Sequence, residues 1–219
     1  MVRRPVLSWG PGVARLLRRR EDPVSWVVVG LGNPGPKYEG NRHNAGRMVL
    51  DELARRAGAG FTTHRSRAKV ADVRLGTAPG GAPGPRVLLA HSTGYMNVTG
   101  GPVASLLGYH RVDPERLIVV HDELDLDLGT VRLKRGGGEG GHNGLRSISA
   151  ALGTKDYVRV RVGIGRPPGR QDPADYVLSD FAPRQRVEVE LLIADGADAV
   201  EGLVHEGLTA VQNRFHARS

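Results

Sequence analysis

Short apolar runs alternate with polar, glycine-rich stretches along most of the chain. Trp26–Val29 is too short and too rich in β-branched residues for a helix, so it predicts a strand. Asn44–Ala57 carries apolar residues at helical spacing and is followed by Gly58, which predicts an amphipathic helix. The same criteria predict strands at Lys69–Leu75, Arg86–Ala90, Leu117–Val120, Thr130–Arg135 and Val158–Ile164, and helices at Val103–Tyr109, Leu145–Leu152 and Pro183–Val204.

This alternation of strands and helices predicts an α/β fold. We expect a single domain with three α/β/α layers, in which helices cover both faces of a twisted, mostly parallel mixed sheet. The sheet should be mixed because some neighbouring strands are too close in sequence for a helical crossover. A chain of 219 residues with 39% hydrophobic content can bury one good core. We assign this domain to residues 23–219.

Residues 1–22 differ in composition and are interpreted as a basic, flexible N-terminal arm. Six arginines and no acidic residue lie within residues 1–20, so this segment supplies most of the net charge of +8. Residues 128–170 hold nine basic and two acidic residues, whereas residues 171–219 hold nine acidic residues and four arginines. The basic stretch suits phosphate groups, although a solvated charged face would have the same composition.

Composition also limits the compartment in which the protein works. The absence of cysteine excludes disulfides and thiolate metal sites. The sequence contains neither an apolar run of about 18 residues nor a signal-like segment near its N-terminus. We therefore expect a cytoplasmic protein without a membrane partner.

Several polar residues are predicted to follow the ends of strands, where ligands bind in open α/β sheets. These residues are Asn33, Asn97, Asp122 and Asn143. We expect them to converge with His43 in one crevice. Gly30–Gly35 also fits the glycine pattern of a dinucleotide site, but the prolines beside it delay the helix that such a site requires. The glycine-rich segment 136–144 lacks the Gly-Lys-Ser/Thr sequence of a P-loop.

The predicted crevice suits hydrolysis by activated water. A neutral His43 beside Asp122 would be a general base, with the carboxylate fixing the histidine tautomer. Asparagine amides can donate to a developing oxyanion. Without an obvious nucleophile elbow, direct attack of water on an activated acyl group such as an ester is expected. A metal site could draw on His43, His121, Asp122, Asp125 and His142, but their spacing matches no ligand signature, so we expect no metal.

Several motifs resemble those of the bacterial peptidyl-tRNA hydrolase family, in the order and spacing of that family. They are Gly30–Gly35 with Lys37 and Tyr38, Arg42–Gly46, Tyr95–Asn97 with Gly100, His121–Asp125 and Gly140–Leu145. The resemblance covers about Val24–His216. It implies a monomeric enzyme without metal or cofactor. Such an enzyme hydrolyses the ester between the peptide and the 3′ ribose of tRNA in peptidyl-tRNA, which releases tRNA for reuse in translation.

The resemblance further implies roles for individual residues. His43 corresponds to the catalytic histidine of the family, and Asp122 to the aspartate that orients it. The residues implied in substrate binding are Asn33, Tyr38, Met96, Asn97 and Asn143, and those implied in tRNA binding are Arg132, Lys134 and Arg161. The sequence departs from the family pattern at Asn41, Ser92–Gly94 and Glu139, and none of these differences removes a catalytic group.

Two other functions fit parts of the same sequence. An RNA-binding protein without catalytic activity could use the same scaffold, but it would have no chemical need for His43 and Asp122. An esterase acting on small acyl compounds would not need three basic residues near its site. Retention of the histidine, the aspartate and all three asparagines favours the hydrolase.

Overall fold

One mixed sheet runs through the protein. A computed structural model describes residues 22–77 and 80–217 of the chain. The strands are β1 (Trp26–Gly30), β2 (Thr62–His64), β3 (Ala68–Arg74), β4 (Arg86–Ser92), β5 (Leu117–Glu123), β6 (Val131–Arg135) and β7 (Val158–Gly163). Their order is β2-β3-β4-β1-β5-β7-β6. Strands β4, β1, β5 and β7 pair in parallel, and the pairs at both edges are antiparallel. The predicted mostly parallel mixed sheet is confirmed.

Helices cover both faces of this sheet. They are α1 (Ala45–Arg56), α2 (Gly100–His110), α3 (Asn143–Leu152), α4 (Pro173–Val177), α5 (Arg186–Glu206) and α6 (Leu208–His216). Helices α1, α5 and α6 pack on one face, and α2 and α3 pack on the other. The central strands therefore bury both of their faces. In β1, for example, Val28 joins the core under α1 while Val27 and Val29 join the core under α2. The three-layer α/β/α architecture is confirmed.

Three elements were not predicted from the sequence. Strand β2 is a three-residue edge strand with two exposed threonines, so it has no apolar alternation. Helix α4 has only five residues, and α6 is separated from α5 by Gly207 alone, at φ 82°. Helix α5 begins at Arg186 because Pro183–Gln185 forms a 3-10 turn instead.

Two residues, Asp122 and Asn143, do not directly follow the ends of strands as predicted. Strand β5 continues to Glu123, so Asp122 lies within the strand rather than after it. Strand β6 runs antiparallel to β7, so it ends at the edge opposite the carboxyl ends of the parallel strands. Asn143 reaches the crevice by another route, because the loop 136–142 crosses back over the sheet. The buried Arg159 holds this loop by donating to the carbonyls of Gly137 at 2.9 Å and Gly138 at 2.7 Å.

The N-terminus of α1 packs very closely against β5. A Cβ atom at Gly46 would lie 2.2 Å from the carbonyl oxygen of Val120, and one at Gly30 would lie 2.5 Å from the carbonyl oxygen of Gly46. Only glycine allows these backbones to approach so closely. This contact brings the 3-10 turn Arg42–Asn44, which precedes α1, beside the end of β5.

The predicted N-terminal arm lies outside the described residues except for Asp22. The backbone carbonyl of Asp22 accepts a hydrogen bond of 2.6 Å from Arg86. Within residues 22–77 and 80–217, no helix combines the length and the apolar character needed to cross a membrane.

Candidate active site

His43 and Asp122 form a direct hydrogen-bonded pair. The Nδ1 atom of His43 lies 2.9 Å from Oδ1 and 3.0 Å from Oδ2 of Asp122. A carboxylate can only accept, so Nδ1 carries the proton and the lone pair of a neutral His43 is on Nε2. The 3-10 turn supplies the histidine and strand β5 supplies the aspartate, which is 4% exposed. The pair therefore has the arrangement expected of a general base.

His142 is a second histidine on the same carboxylate. Its Nε2 lies 3.0 Å from Oδ1 of Asp122, and its Nδ1 accepts a hydrogen bond of 3.1 Å from the backbone N–H of Gly144. Since Nδ1 is an acceptor, the proton of the neutral ring must be on Nε2 and point at Asp122. The rings of His43 and His142 lie 4.8 Å apart between centroids. Sequence reasoning placed His142 only among conceivable metal ligands and missed this contact.

The electrostatic environment shifts the pKa values of His43 and Asp122 in opposite directions. Burial opposes the charged form of His43, but the charge of Asp122 and its hydrogen bond outweigh burial and raise the pKa of His43 above 6.5. Burial also opposes ionisation of Asp122, yet the two histidines dominate and lower the pKa of that carboxyl. Asp122 is therefore ionised at neutral pH, and His43 holds a proton more strongly than a free histidine does.

His121 supports the aspartate from its own strand. Its Nδ1 donates a hydrogen bond of 2.7 Å to the backbone carbonyl of Asp122. Burial and the neighbouring His142 lower the pKa of His121 to about 3, so this ring is neutral at physiological pH. Its ring meets the ring of His142 edge to face at 5.1 Å. His121 thus packs against His142 and the backbone of Asp122 without adding charge.

Three groups of the site could hold a metal ion. One ligand atom each from His43, Asp122 and His142 lies within 4.8 Å of the others. Of the other conceivable ligands, Asp125 pairs with Arg166, and His121, whose Nδ1 donates to a backbone carbonyl, does not belong to this group of three. In the described structure the three central groups bind one another through protons, and the absence of a metal from the reaction stays a prediction.

Asn33 and Met96 form one wall of the crevice. The side-chain oxygen of Asn33 accepts a hydrogen bond of 2.9 Å from the backbone N–H of Met96. The backbone of Asn33 makes two bonds with the side chain of Asn44, at 2.8 and 3.0 Å. Because its oxygen is already bound, Asn33 can offer its Nδ2 group to a ligand as a donor. Met96 is 4% exposed and contributes an apolar surface beside it.

All seven residues predicted to be catalytic or to bind substrate line one cavity of about 1160 Å³. They are Asn33, Tyr38, His43, Met96, Asn97, Asp122 and Asn143. The oxygen of Asn143 accepts a bond from Arg146, which leaves its Nδ2 group to face a ligand. Tyr38 meets Tyr95 edge to face at 6.3 Å, and Tyr95 is 57% exposed. The opposite wall comes from the segment around α4.

Comparison with known proteins assigns the chain to a family. The model of a family described as peptidyl-tRNA hydrolase matches residues 27–219. The chain belongs to the peptidyl-tRNA hydrolase family. A peptidyl-tRNA hydrolase from Kineococcus radiotolerans is 66% identical over 193 residues, which cover 88% of this chain and 98% of that protein. One from Frankia alni is 61% identical over 196 residues, which cover 90% of this chain and 96% of that protein.

A solved structure agrees with this assignment. The crystal structure of peptidyl-tRNA hydrolase from Acinetobacter baumannii matches this chain with a TM-score of 0.78 at 31% identity. The match covers 89% of this chain and 96% of that chain. The fold and the family expected from the sequence motifs of a peptidyl-tRNA hydrolase are therefore confirmed.

The predicted tRNA-binding residues of this family member lie beside the cavity rather than in it. Arg132 is directly opposite Arg161, and Lys134 is directly opposite Arg159, on the antiparallel strands β6 and β7. Directly opposite residues share a face, so the four cations form a ladder. Arg161 pairs with Glu123 at 2.9 Å, and Arg132 donates to the carbonyl of Phe215 at 2.8 Å. Because Glu123 also lines the cavity, the ladder adjoins the crevice.

Sequence reasoning did not single out Arg159, which is 0% exposed. Burial lowers the pKa of Lys134, and the positive charges of Arg161 and Arg159 lower it further. A period-two strand of alternating valine and arginine was visible in the sequence, but nothing there indicated which arginine would be buried.

Proposed function

We propose that this chain hydrolyses the ester between peptide and tRNA, the reaction named for its family, with a water molecule that His43 activates. The observation that carries this proposal is the bond between His43 and Asp122, in a cavity that Asn33, Asn97 and Asn143 also line. Nε2 of His43 takes a proton from water while the water oxygen attacks the ester carbonyl. The imidazolium that forms is stabilised by Asp122 at 2.9 Å.

The surrounding amides would stabilise the charge that develops during the attack. The Nδ2 groups of Asn33 and Asn143 are available because the oxygens of both side chains already accept hydrogen bonds. Donors aimed at a developing oxyanion contribute roughly 10²–10³ in rate each. When the tetrahedral intermediate collapses, the imidazolium returns its proton to the ribose oxygen that leaves. The products are a peptide carboxylic acid and free tRNA, and His43 is again neutral.

Three members of the cation ladder, Arg132, Lys134 and Arg161, would bind phosphates of the tRNA next to the cavity, while the buried Arg159 holds the loop beside them. Its position fits a substrate whose ester enters the crevice while its acceptor stem lies outside. This distinguishes the proposed substrate from a small acyl ester, which would have no phosphates for the ladder to contact.

The test is release of peptide from an N-blocked aminoacyl-tRNA by the purified protein. We expect hydrolysis by the native chain and a loss of at least about 10²-fold in His43→Asn, because the general base is gone. His64→Asn is the matched control, since His64 lies on the edge strand β2. Unchanged hydrolysis by His43→Asn would overturn the mechanism. Tight tRNA binding without any turnover in the native chain would favour the RNA-binding alternative.

A further inference from the structure

Arg42 joins the turn that carries His43 to the opposite wall of the crevice. Although it is charged, Arg42 is only 7% exposed. Its Nη1 atom lies 3.1 Å from the carbonyl oxygen and 2.8 Å from the hydroxyl of Ser179, and 2.7 Å from the carbonyl oxygen of Asp180. Its Nη2 atom reaches the side chain of Gln185 at 3.4 Å. One side chain therefore forms hydrogen bonds with three residues of the segment 173–185.

Aromatic rings complete the pocket around this guanidinium. The Cζ atom of Arg42 lies 4.3 Å from the ring centroid of Tyr176 and 5.2 Å from that of Phe181. Within the described residues, no carboxylate forms an ion pair with Arg42; its acceptors are neutral oxygens and its neighbours are rings. A planar, stacked guanidinium with several donors cannot be replaced by a lysine ammonium without loss of contacts.

Backbone hydrogen bonds also connect residues 40–42 to residues 179–181. The N–H of Arg42 donates to the carbonyl of Ser179 at 3.1 Å, and the N–H of Phe181 donates to the carbonyl of Gly40 at 3.3 Å. Asn41 adds a bond of 2.6 Å from its Nδ2 group to the carboxylate of Asp180. The segment attached here is the one whose Pro173, Ala174, Val177 and Leu178 line the cavity.

We propose that Arg42 is a positioning residue, which holds the crevice wall at residues 173–182 and the turn bearing His43 as one unit. This inference rests on the proposed role of His43 as the base. Arg42 is the first residue of the 3-10 turn and His43 is the second, so a change in the anchor moves the base as well as the wall. The width of the crevice and the aim of His43 are therefore coupled.

The test compares Arg42→Lys with the native enzyme in three measurements. We expect KM to rise severalfold because the wall is displaced, and kcat to fall about tenfold because a misplacement near 1 Å is worth up to about 10²-fold in rate. We expect faster hydrogen exchange in residues 173–182 and an unchanged salt dependence of KM. Ser179→Ala removes one acceptor of Arg42 together with the bond of 2.7 Å from the Ser179 hydroxyl to the carbonyl of Tyr176. It should give smaller changes of the same sign, which keeps the test open if Arg42→Lys folds poorly.

Val211→Ala is the control for a general loss of stability. Val211 is 0% exposed on α6, which packs mainly on β6 and α5, so this variant should leave kcat, KM and exchange in residues 173–182 unchanged. Unchanged exchange there in Arg42→Lys would overturn the proposal. A drop of about one unit in the salt slope of KM would also overturn it, because Arg42 would then contact a phosphate itself. Exchange needs no turnover, so failure of the hydrolytic mechanism would be seen separately, in His43→Asn.

Discussion

Replacing Asp122 by asparagine changes one oxygen to an amide and removes the charge behind His43. His142 is held by the N–H of Gly144 in the tautomer that donates to Oδ1, so the amide oxygen must stay on that side. The new NH₂ group then takes the place of Oδ2, which lies 3.0 Å from Nδ1 of His43. To accept from this donor, His43 must move its proton to Nε2. In that tautomer it can no longer act as a base towards water.

The size of the effect follows from the distance in the pair. At 2.9 Å and an effective dielectric constant of about 20, the attraction between an imidazolium and Asp122 is about 6 kcal/mol. Since about 1.4 kcal/mol corresponds to a factor of ten in rate, loss of the whole attraction would slow turnover by about 10⁴. Part of this attraction offsets the burial of Asp122, so we expect kcat in Asp122→Asn to fall by about 10²–10⁴.

Binding of the substrate should change little in the same variant. Asp122 is 4% exposed and lies behind His43, so we expect the Kd of N-blocked aminoacyl-tRNA to change by less than about threefold. Single-turnover hydrolysis measures the chemical step, and filter binding to the slowly reacting variant measures Kd. Asp125→Asn is the control, because this carboxylate lines the same cavity on the exposed side. A loss of less than tenfold in kcat, or equal losses in kcat and binding, would refute the reasoning.

The pH profile gives a second measure of the pair. Catalysis needs neutral His43, so activity should be present above the raised pKa of His43 and be lost as the pH falls through it. The contribution of the pair to the stability of the fold has the opposite pH dependence. The charged pair stabilises the fold fully below the ordinary histidine pKa of 6.5, and this contribution is lost as the pH rises through the raised value. In Asp122→Asn the acidic limb of any remaining activity should move to lower pH.

Three further predictions concern the scaffold and the cation ladder. Gly46→Ala places a Cβ atom 2.2 Å from the carbonyl oxygen of Val120, so denaturant titration should show a loss of at least about 3 kcal/mol, whereas Gly101→Ala, with nothing within 4 Å, should show none. Burial and Arg47 lower the pKa of His91 to about 4, so the fold loses up to about 3 kcal/mol as the pH falls from 6.5 to 4, and His91→Asn should flatten this dependence. Lys134→Ala should weaken tRNA binding and reduce its salt slope by about 0.7–0.9 if one phosphate contact is lost; an unchanged slope would place the phosphates elsewhere.

Local patterns in the sequence were sufficient to predict the central strands and most of the residues that line the crevice. Val27–Val29 is a continuous apolar run because helices cover both faces of β1, and such a run is visible without any knowledge of its partners. His43 and Asn33 flank glycines and prolines that exclude regular structure, which marks them as loop residues near a strand end. The sequence could not place Asn143 correctly, since its position depends on the antiparallel pairing of β6 with β7.

The contacts of His142 and Arg159 also depend on residues that are distant in the sequence, so the sequence did not predict them. His142 lies at the N-terminus of α3, and it meets Asp122 only because the preceding loop returns across the sheet. That return depends on Arg159, whose partners Gly137 and Gly138 are more than 20 residues away. A buried arginine in a strand of alternating valine and arginine has no local signature, because burial is decided by what packs over the strand.

The buried carboxylate of Asp122 depends on side chains that two separate parts of the fold bring to it. Asp122 is ionised although it is almost inaccessible to water, and this state is tolerable only because two imidazoles donate to it. One imidazole arrives on the turn fixed by Gly46 and Arg42, and the other on the loop fixed by Arg159. If either support is loosened, the charge loses a donor and the base loses its orientation together. Residues that do not touch the substrate can therefore change the rate through these two imidazoles.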